Sequence, residues 1–409
     1  QTWIVSTGRS AETARCAADY RLPGERRTVA TLGGPWRQNR LSPNALTLDY
    51  AQFSKDGGRT WSVSEPVLAF SDRAAQSQPY NGPLLVRYPF RAEALPRNCS
   101  LVLEQPEMYA SIRVNGRELR FGQGEETPGK NTGTTSKKTP GDVSDGEPAG
   151  FYLDWAFRTA EITPLLKKGD NEIVLALDFR SAVPSSYDAD ERYGTEIESV
   201  YLTGDFAVRG KEVAPPLADS WRNRSPYLQR TAPVNRLTGF VLTDEPTQVE
   251  GDMTLQGYPF FAGSMTLEKE FDLERTDSAA RYFLTFPACE ATVIGINVNG
   301  TDLSPLFASP WEADVTPWLR PGSNKICLTL TNTLRNLLGP HHHKGGEFTE
   351  VRPVTFRAGE DVSNTMTGEP VGERDWYDAR LKGRAALWRD AYHIIPSGLL
   401  AAPEIRRER

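Results

Sequence analysis

An internal repeat constrains this chain more than any other feature of its sequence. Thr292-Val293-Ile294-Gly295-Ile296-Asn297-Val298-Asn299-Gly300 is followed by Asp314-Val315-Thr316-Pro317-Trp318-Leu319-Arg320-Pro321-Gly322-Ser323-Asn324 and then by Lys325-Ile326-Cys327-Leu328-Thr329-Leu330. An earlier stretch answers each piece: Ile112-Arg113-Val114-Asn115-Gly116, then Glu161-Ile162-Thr163-Pro164-Leu165-Leu166-Lys167-Lys168-Gly169-Asp170-Asn171, then Glu172-Ile173-Val174-Leu175-Ala176-Leu177. So many matches at fixed spacing make each copy one structural unit.

Both copies read as β structure. Ile326, Leu328 and Leu330 alternate with Cys327 and Thr329, as Ile173, Leu175 and Leu177 alternate with Val174 and Ala176. A period of two places one apolar face against a core. Asn-Gly after an alternating run signals a hairpin, because both residues accept the positive φ of a type I′ turn. The Gly-x-Asn before the last strand is a second turn. Short strands joined by turn chemistry predict an all-β protein of two tandem antiparallel β-sandwiches, one per repeat.

The 409 residues suit roughly two to three domains. A net charge of −6 gives no electrostatic case for nucleic acid, and no apolar run approaches the roughly 20 residues of a membrane span. Four cysteines (Cys16, Cys99, Cys289 and Cys327) lack C-x-x-C spacing, against the common zinc and thioredoxin patterns. Cys289 and Cys327 could pair within the second sandwich; buried free thiols are the expected state.

Three segments follow along the chain. Residues 1–43 form a loop-rich lead-in without a core of its own, beginning mid-pattern at a strand-like Thr2-Trp3-Ile4-Val5 and read as the end of a preceding domain. Residues 44–215 form the first sandwich, closed by a strand across 192–202. Residues 216–409 form the second, with strands including Gly257-Tyr258-Pro259-Phe260-Phe261, a short helical turn near Leu381–Trp388, a closing strand near Tyr392 and a charged tail. The first copy carries an insertion: Asn115 to Asn171 spans 56 positions, Asn299 to Asn324 only 25, a difference of 31. It falls at 123–150, where six glycines accompany two apolar side chains, Val143 and Ala149, and is expected to be disordered.

These residues resemble the carbohydrate-binding β-sandwiches, jelly-roll and galactose-binding-like, that accompany glycoside hydrolases of family 2 and, more closely, the family 106 α-L-rhamnosidases. The resemblance rests on Asn44-x-Leu46-Thr47-Leu48-Asp49-Tyr50 with Asp56-Gly57-Gly58, the repeat itself, Phe151-Tyr152-Leu153-Asp154-Trp155, Gly257 to Gly263, and Leu334-Arg335-Asn336-Leu337-Leu338-Gly339-Pro340-His341-His342. It covers roughly residues 40–400. It implies an extracellular or periplasmic partner of plant or microbial polysaccharide, attached to a catalytic barrel in the same longer polypeptide. No series of strand–helix alternations provides that barrel, which takes ~250 residues. The family's catalytic carboxylates therefore have no positions here, and no catalytic residue is assigned.

Sugar recognition needs an apolar ring for the C–H face of a pyranose beside planar polar groups for its hydroxyls. Asp154, Trp155 and Arg158 form the first candidate site, and Trp311 with Glu312 the second; core filling is the competing reading of both rings. His341, His343 and Glu347 could ligate zinc, because adjacent residues of an extended strand point oppositely and leave His342 out. A solvent-exposed or hydrogen-bonded loop after Gly339-Pro340 is the expected state. Glu196 and Glu198 alternate to one strand face, where calcium could bind. With only four histidines and no Gly-x-Ser-x-Gly, a self-contained hydrolase ranks below an accessory sandwich pair or a lectin-like binder.

Overall fold

The computed structural model describes residues 26–76, 78–121, 150–183, 186–188, 194–213, 235–274, 276–339, 341–342 and 390–408. Outside them lie Thr2–Val5, Cys16, all of the 123–150 insertion except Gly150, Pro215-Pro216, His343, Glu347 and the 381–388 turn. Two separate apolar cores organise the strands, and the fold is all-β with antiparallel sheets, as the repeat predicts.

The first core lies between a five-stranded sheet and a nine-stranded sheet. Phe151–Tyr152, Asp154–Glu161, Cys99–Glu104, Val200–Gly204 and Asn44–Leu48 follow one another across the smaller sheet. The larger sheet centres on Asn81–Ala92 paired along its length with Gly169–Arg180, the last strand of the first repeat. The second core lies between a four-stranded and a six-stranded sheet; Gly322–Thr331, the corresponding strand of the second repeat, pairs with Ser264–Leu273 and Val293–Val298.

Both repeats are built around the same buried asparagine. Asn171 Oδ1 accepts from the Lys167 amide (2.9 Å) and from Asn115 Nδ2 (2.8 Å), while its Nδ2 donates to the carbonyls of Lys167 (2.7 Å) and Gly169 (2.9 Å). Asn324 repeats this with Arg320 N (3.0 Å), Asn299 Nδ2 (2.9 Å), Arg320 O (2.8 Å) and Gly322 O (2.9 Å). Burying an amide is tolerable only when its bonding capacity is met, and here four bonds meet it. The turn residues Asn115 (φ 51°) and Gly116 (79°), like Asn299 (52°) and Gly300 (91°), both take the positive φ of the expected hairpin turn.

Several segments differ from the sequence reading. Within the lead-in, Arg26–Thr31 and Trp36–Arg40 join the sheets of the second sandwich, and Leu32 and Trp36 enter its core. The expected charged tail is the strand Glu404–Glu408, lying between Arg26–Thr31 and Arg281–Thr285. Ile405 anchors it in the core, and its charges pair laterally: Arg26 Nε donates to Glu408 and Arg407 to Asp277. Gly257 to Phe261 make no strand; Tyr258, Phe260 and Phe261 fill cores from a loop. A ten-residue helix, Val67–Gln76, was not foreseen, and pairing at the 192–202 strand begins only at Val200.

Asn235–Thr243 pairs with Ala207–Glu212 and, in parallel, with Asn81–Ala92, so it extends the first sandwich; Tyr392–Ile394 adds to its edge. No helix among the described residues is long and apolar enough to cross a membrane.

Candidate functional site

Alternation along the five-stranded sheet separates two chemistries. Leu46, Leu101, Leu103 and Leu202 turn one way into the first core, and Val102 and Tyr201 on the other face are buried in the same cluster. Opposite registers then put Thr47, Tyr201, Val102 and Thr159 in one row across the other face, with Glu104 and Phe157 paired in the next row. Trp155, two residues before Phe157 on the same strand, continues this face with 76% of its surface exposed. The Phe157 and Tyr201 rings meet edge to face, 5.8 Å between centroids. An exposed indole, a half-buried phenyl ring and a buried phenol thus lie in sequence on one sheet face.

Phenol hydroxyls and carboxylates converge on the same region. The hydroxyls of Tyr109, Tyr152 and Tyr201 make no hydrogen bond among the described residues, and Tyr152 Oη is fully buried without a partner. Burial, reinforced by the negative charges of Glu198, Asp49 and Glu104, raises the Tyr201 phenol far above its ordinary range. Tyr109 is raised by burial and then by Glu198 and Glu104, and Tyr152 by burial alone, to about 12. All three remain neutral donors at any physiological pH. By contrast Tyr88 Oη donates to the Glu198 carbonyl at 2.7 Å.

Asp49 sits at the corner where the chain leaves Asn44–Leu48 for the strand Tyr50–Ser54 of the other sheet. Its carboxylate is held from the second half of the chain. His342 Nε2 lies 3.0 Å from Oδ2, the Tyr392 hydroxyl donates to Oδ1, and His341 Nδ1 stands 4.0 Å from Oδ2. Burial alone would raise this carboxyl; the charges of His342 and His341 and the bonds from His342 and Tyr392 outweigh it and keep the group below its usual range. Burial lowers His341 to about 4. Thr47 Oγ1 also donates to the Leu337 carbonyl (2.7 Å), so the helix Arg335–Leu338 packs against this sheet.

The expected site residues divide between these environments. Trp155 lies on the aromatic face. Asp154 and Arg158 share the opposite strand face: Asp154 accepts from the Ala156 amide at 2.9 Å, and Arg158 lies 5.4 Å from the centre of the Phe151 ring. Trp311 is half-buried against the second core, and Arg26 Nη1 donates to Glu312 at 2.6 Å, so this pair is built into the sandwich. His341 and His342, expected to diverge, both approach Asp49, because their segment is a loop and strand alternation does not apply. His341 Nε2 lies 2.8 Å from the Asn336 carbonyl. Among the described residues no group of three His, Cys, Asp or Glu side chains is placed to hold a metal. Glu196 and Glu198 are exposed on a stretch outside the strands. Cys99, Cys289 and Cys327 are free thiols.

Sequence reasoning missed Glu104, Tyr109, Tyr201 and Asp49. The alternation of Ser100-Leu101-Val102-Leu103-Glu104 carried a signal for Glu104. Asp49 stands in the motif from Asn44 to Tyr50, but nothing local marks its carboxylate as held, since its partners lie some 290 residues away or more.

Fold and face together define a two-sandwich β protein with an aromatic, acid-lined sheet surface. No protein-family profile and no curated protein matches the chain. Similar solved structures include a β-D-mannosidase from Dictyoglomus thermophilum (13% identity, 70% of this chain, 31% of that one, TM-score 0.25). A rhamnosidase from Novosphingobium sp. PP1Y is 14% identical over 97% of this chain and 26% of its own, with TM-score 0.24. A β-glucuronidase from Ruminococcus gnavus is 10% identical over 72% of this chain and 40% of its own, with TM-score 0.26. The chain thus spans less than half the length of each.

Proposed function

We propose that this chain is a non-catalytic, carbohydrate-binding β-sandwich portion of a large glycoside hydrolase of α-L-rhamnosidase type, acting outside the cytoplasm on plant or microbial polysaccharide. One observation carries the reading: Trp155, Phe157 and Tyr201 lie in line on one sheet face beside unpartnered phenol hydroxyls and Glu104. A pyranose ring offers a C–H face to the indole, while its hydroxyls need both donors and acceptors. The phenols of Tyr109 and Tyr201 are neutral donors, and the Glu104 carboxylate accepts. The motifs in the repeat and around Phe151–Trp155 support the hydrolase context.

Calorimetric titration with neutral mono- and oligosaccharides tests the proposal, with Trp155→Ala and Tyr201→Phe as variants and aryl α-L-rhamnoside hydrolysis as a parallel assay. The expectation is saturable binding, weakened at least fivefold in each variant, and no turnover. Absence of binding to every glycan, or turnover that survives repurification, would overturn it.

A further inference from the structure

A second polar concavity lies where strands of the two sandwiches meet. Asn39 and Arg40 come from Trp36–Arg40 of the second sandwich, followed by Leu41 and Ser42; Asp205 comes from the turn after Val200–Gly204 of the first, and Glu245 follows Asn235–Thr243. They line a cleft of about 440 Å³, within the few-hundred-Å³ range of small-ligand sites. We propose that this cleft is a separate carbohydrate subsite that takes one neutral sugar ring. The inference rests on the sugar-binding reading for its ligand class alone; its residues are others.

Charge decides against an anionic ligand. Arg40 is almost wholly buried, and its guanidinium is spent inside the protein: Nε donates to Glu245 Oε1, Nη2 to Glu245 Oε2 (2.9 Å) and Asp205 Oδ1 (3.1 Å), and Nη1 to the Ser42 carbonyl (2.7 Å). One positive against two negative groups leaves the cleft at −1. A uronate or phosphate entering it would meet carboxylates with no uncommitted cation to offset them.

The same bonds make the carboxylates good acceptors for hydroxyls. The guanidinium fork fixes Glu245, and Asn98 Nδ2 fixes Asp205 Oδ2 at 2.6 Å, so these oxygens need no reordering on binding. Asp205 keeps 43% of its side chain exposed and can accept further bonds. The side-chain amide of Asn39, exposed and without a hydrogen bond among the described residues, offers a donor and an acceptor. Ser42 Oγ accepts from the Ser264 amide (3.3 Å) and has its own proton left to donate. Leu41, 59% exposed, supplies the apolar wall for a ring's C–H face. Fixed acceptors, free amide and hydroxyl donors and one apolar wall suit a compact polyol.

Saturation-transfer NMR and calorimetric titration of the full chain with D-galactose, D-mannose, D-glucose and L-rhamnose test this. D-glucuronate and Ca²⁺ alone serve as the charged probes, and Trp155→Ala, Asn39→Ala and their combination as the variants. Asn39→Ala removes an exposed side chain with no partner, so folding is unaffected. The expected result is that Trp155→Ala retains a neutral-sugar site, that adding Asn39→Ala weakens it at least fivefold, and that glucuronate binds at least fivefold more weakly. Binding lost entirely with Trp155 would overturn this subsite and leave the sheet-face reading standing. Binding indifferent to Asn39→Ala, or Ca²⁺ being the only probe that variant weakens, would also overturn it. No sugar binding in the unaltered chain would remove both readings.

Discussion

The buried asparagine shared by the two repeats gives the sharpest test of how the fold is held. In Asn324→Ala the Arg320 amide and one Asn299 Nδ2 proton lose their acceptor, and the carbonyls of Arg320 and Gly322 lose their donor. At ~1–3 kcal/mol per orphaned buried group, with turn carbonyls free to recruit water, the loss comes to about 2–4 kcal/mol. Asn171→Ala deletes the same four bonds in the first copy and should cost the same. Its sequence neighbour Asp170 is the control: exposed, paired with Arg91 at 2.8 Å on the surface, and worth under ~1 kcal/mol when replaced by Ala. The two asparagines share no partner, so the double variant should be additive to within about 0.5 kcal/mol. Urea unfolding followed by tryptophan fluorescence and circular dichroism measures all four proteins. A loss below ~1 kcal/mol for either asparagine, or parity with Asp170→Ala, would refute the claim that these amides organise the repeat.

Stability should fall on acidification. His341 drops from 6.5 to about 4 on folding, so the unfolded chain takes its proton first. Stability is full above pH 6.5 and declines towards pH 4 by on the order of 3 kcal/mol at about 1.4 kcal/mol per pH unit. Asp49, held below its usual carboxylate range, adds stability above pH 3.8 that is lost only at lower pH. His341→Gln should flatten the urea midpoint between pH 6.5 and 4.5; an unchanged slope would contradict this. Tyr152→Phe removes a hydroxyl that has no partner and should leave stability equal or higher, whereas Tyr88→Phe loses a bond to the Glu198 carbonyl and about 1 kcal/mol; equal effects would undo the distinction. Gly204→Ala would put a Cβ 2.1 Å from the Asn98 carbonyl oxygen, so thermal unfolding should move down by several degrees or more; no shift would place that backbone differently.

What the sequence disclosed was local. The Asn-Gly turns, the Gly-x-Asn turns and the alternating strands of the two repeats are written within ten or so residues and form there, whereas Gly257 to Phe261, without such alternation, make no strand. Strand partners were hidden for the same reason: nothing near Glu404–Glu408 says that its ladder is completed by Arg26–Thr31, and a run rich in arginine and glutamate resembles a solvated tail until its charges find lateral partners. Trp155 was legible because an aromatic next to a polar residue stands out. Its companions Tyr201 and Glu104 come from strands some 46 and 51 positions away, and only register unites them. His341 and His342 lie in the hydrogen-bonded loop that the sequence leads one to expect, where strand alternation does not apply and both rings reach one carboxylate.

That carboxylate ties the candidate face to the second half of the chain. Asp49 and Thr47 belong to the edge strand of the five-stranded sheet or its end, yet their partners are His342, Tyr392 and the Leu337 carbonyl. The charge of Asp49 in turn reaches the Tyr201 phenol. Without the segments that follow the second repeat this carboxylate would lose its donors, and an unpaired buried charge is costly enough to rearrange the sheet corner. The sheet face therefore needs these late segments, of which Leu337, Tyr392 and Ile394 belong to the first core. Two copies of one motif have diverged into unequal roles: the first carries the aromatic surface, and segments following the second fix the corner that shapes it.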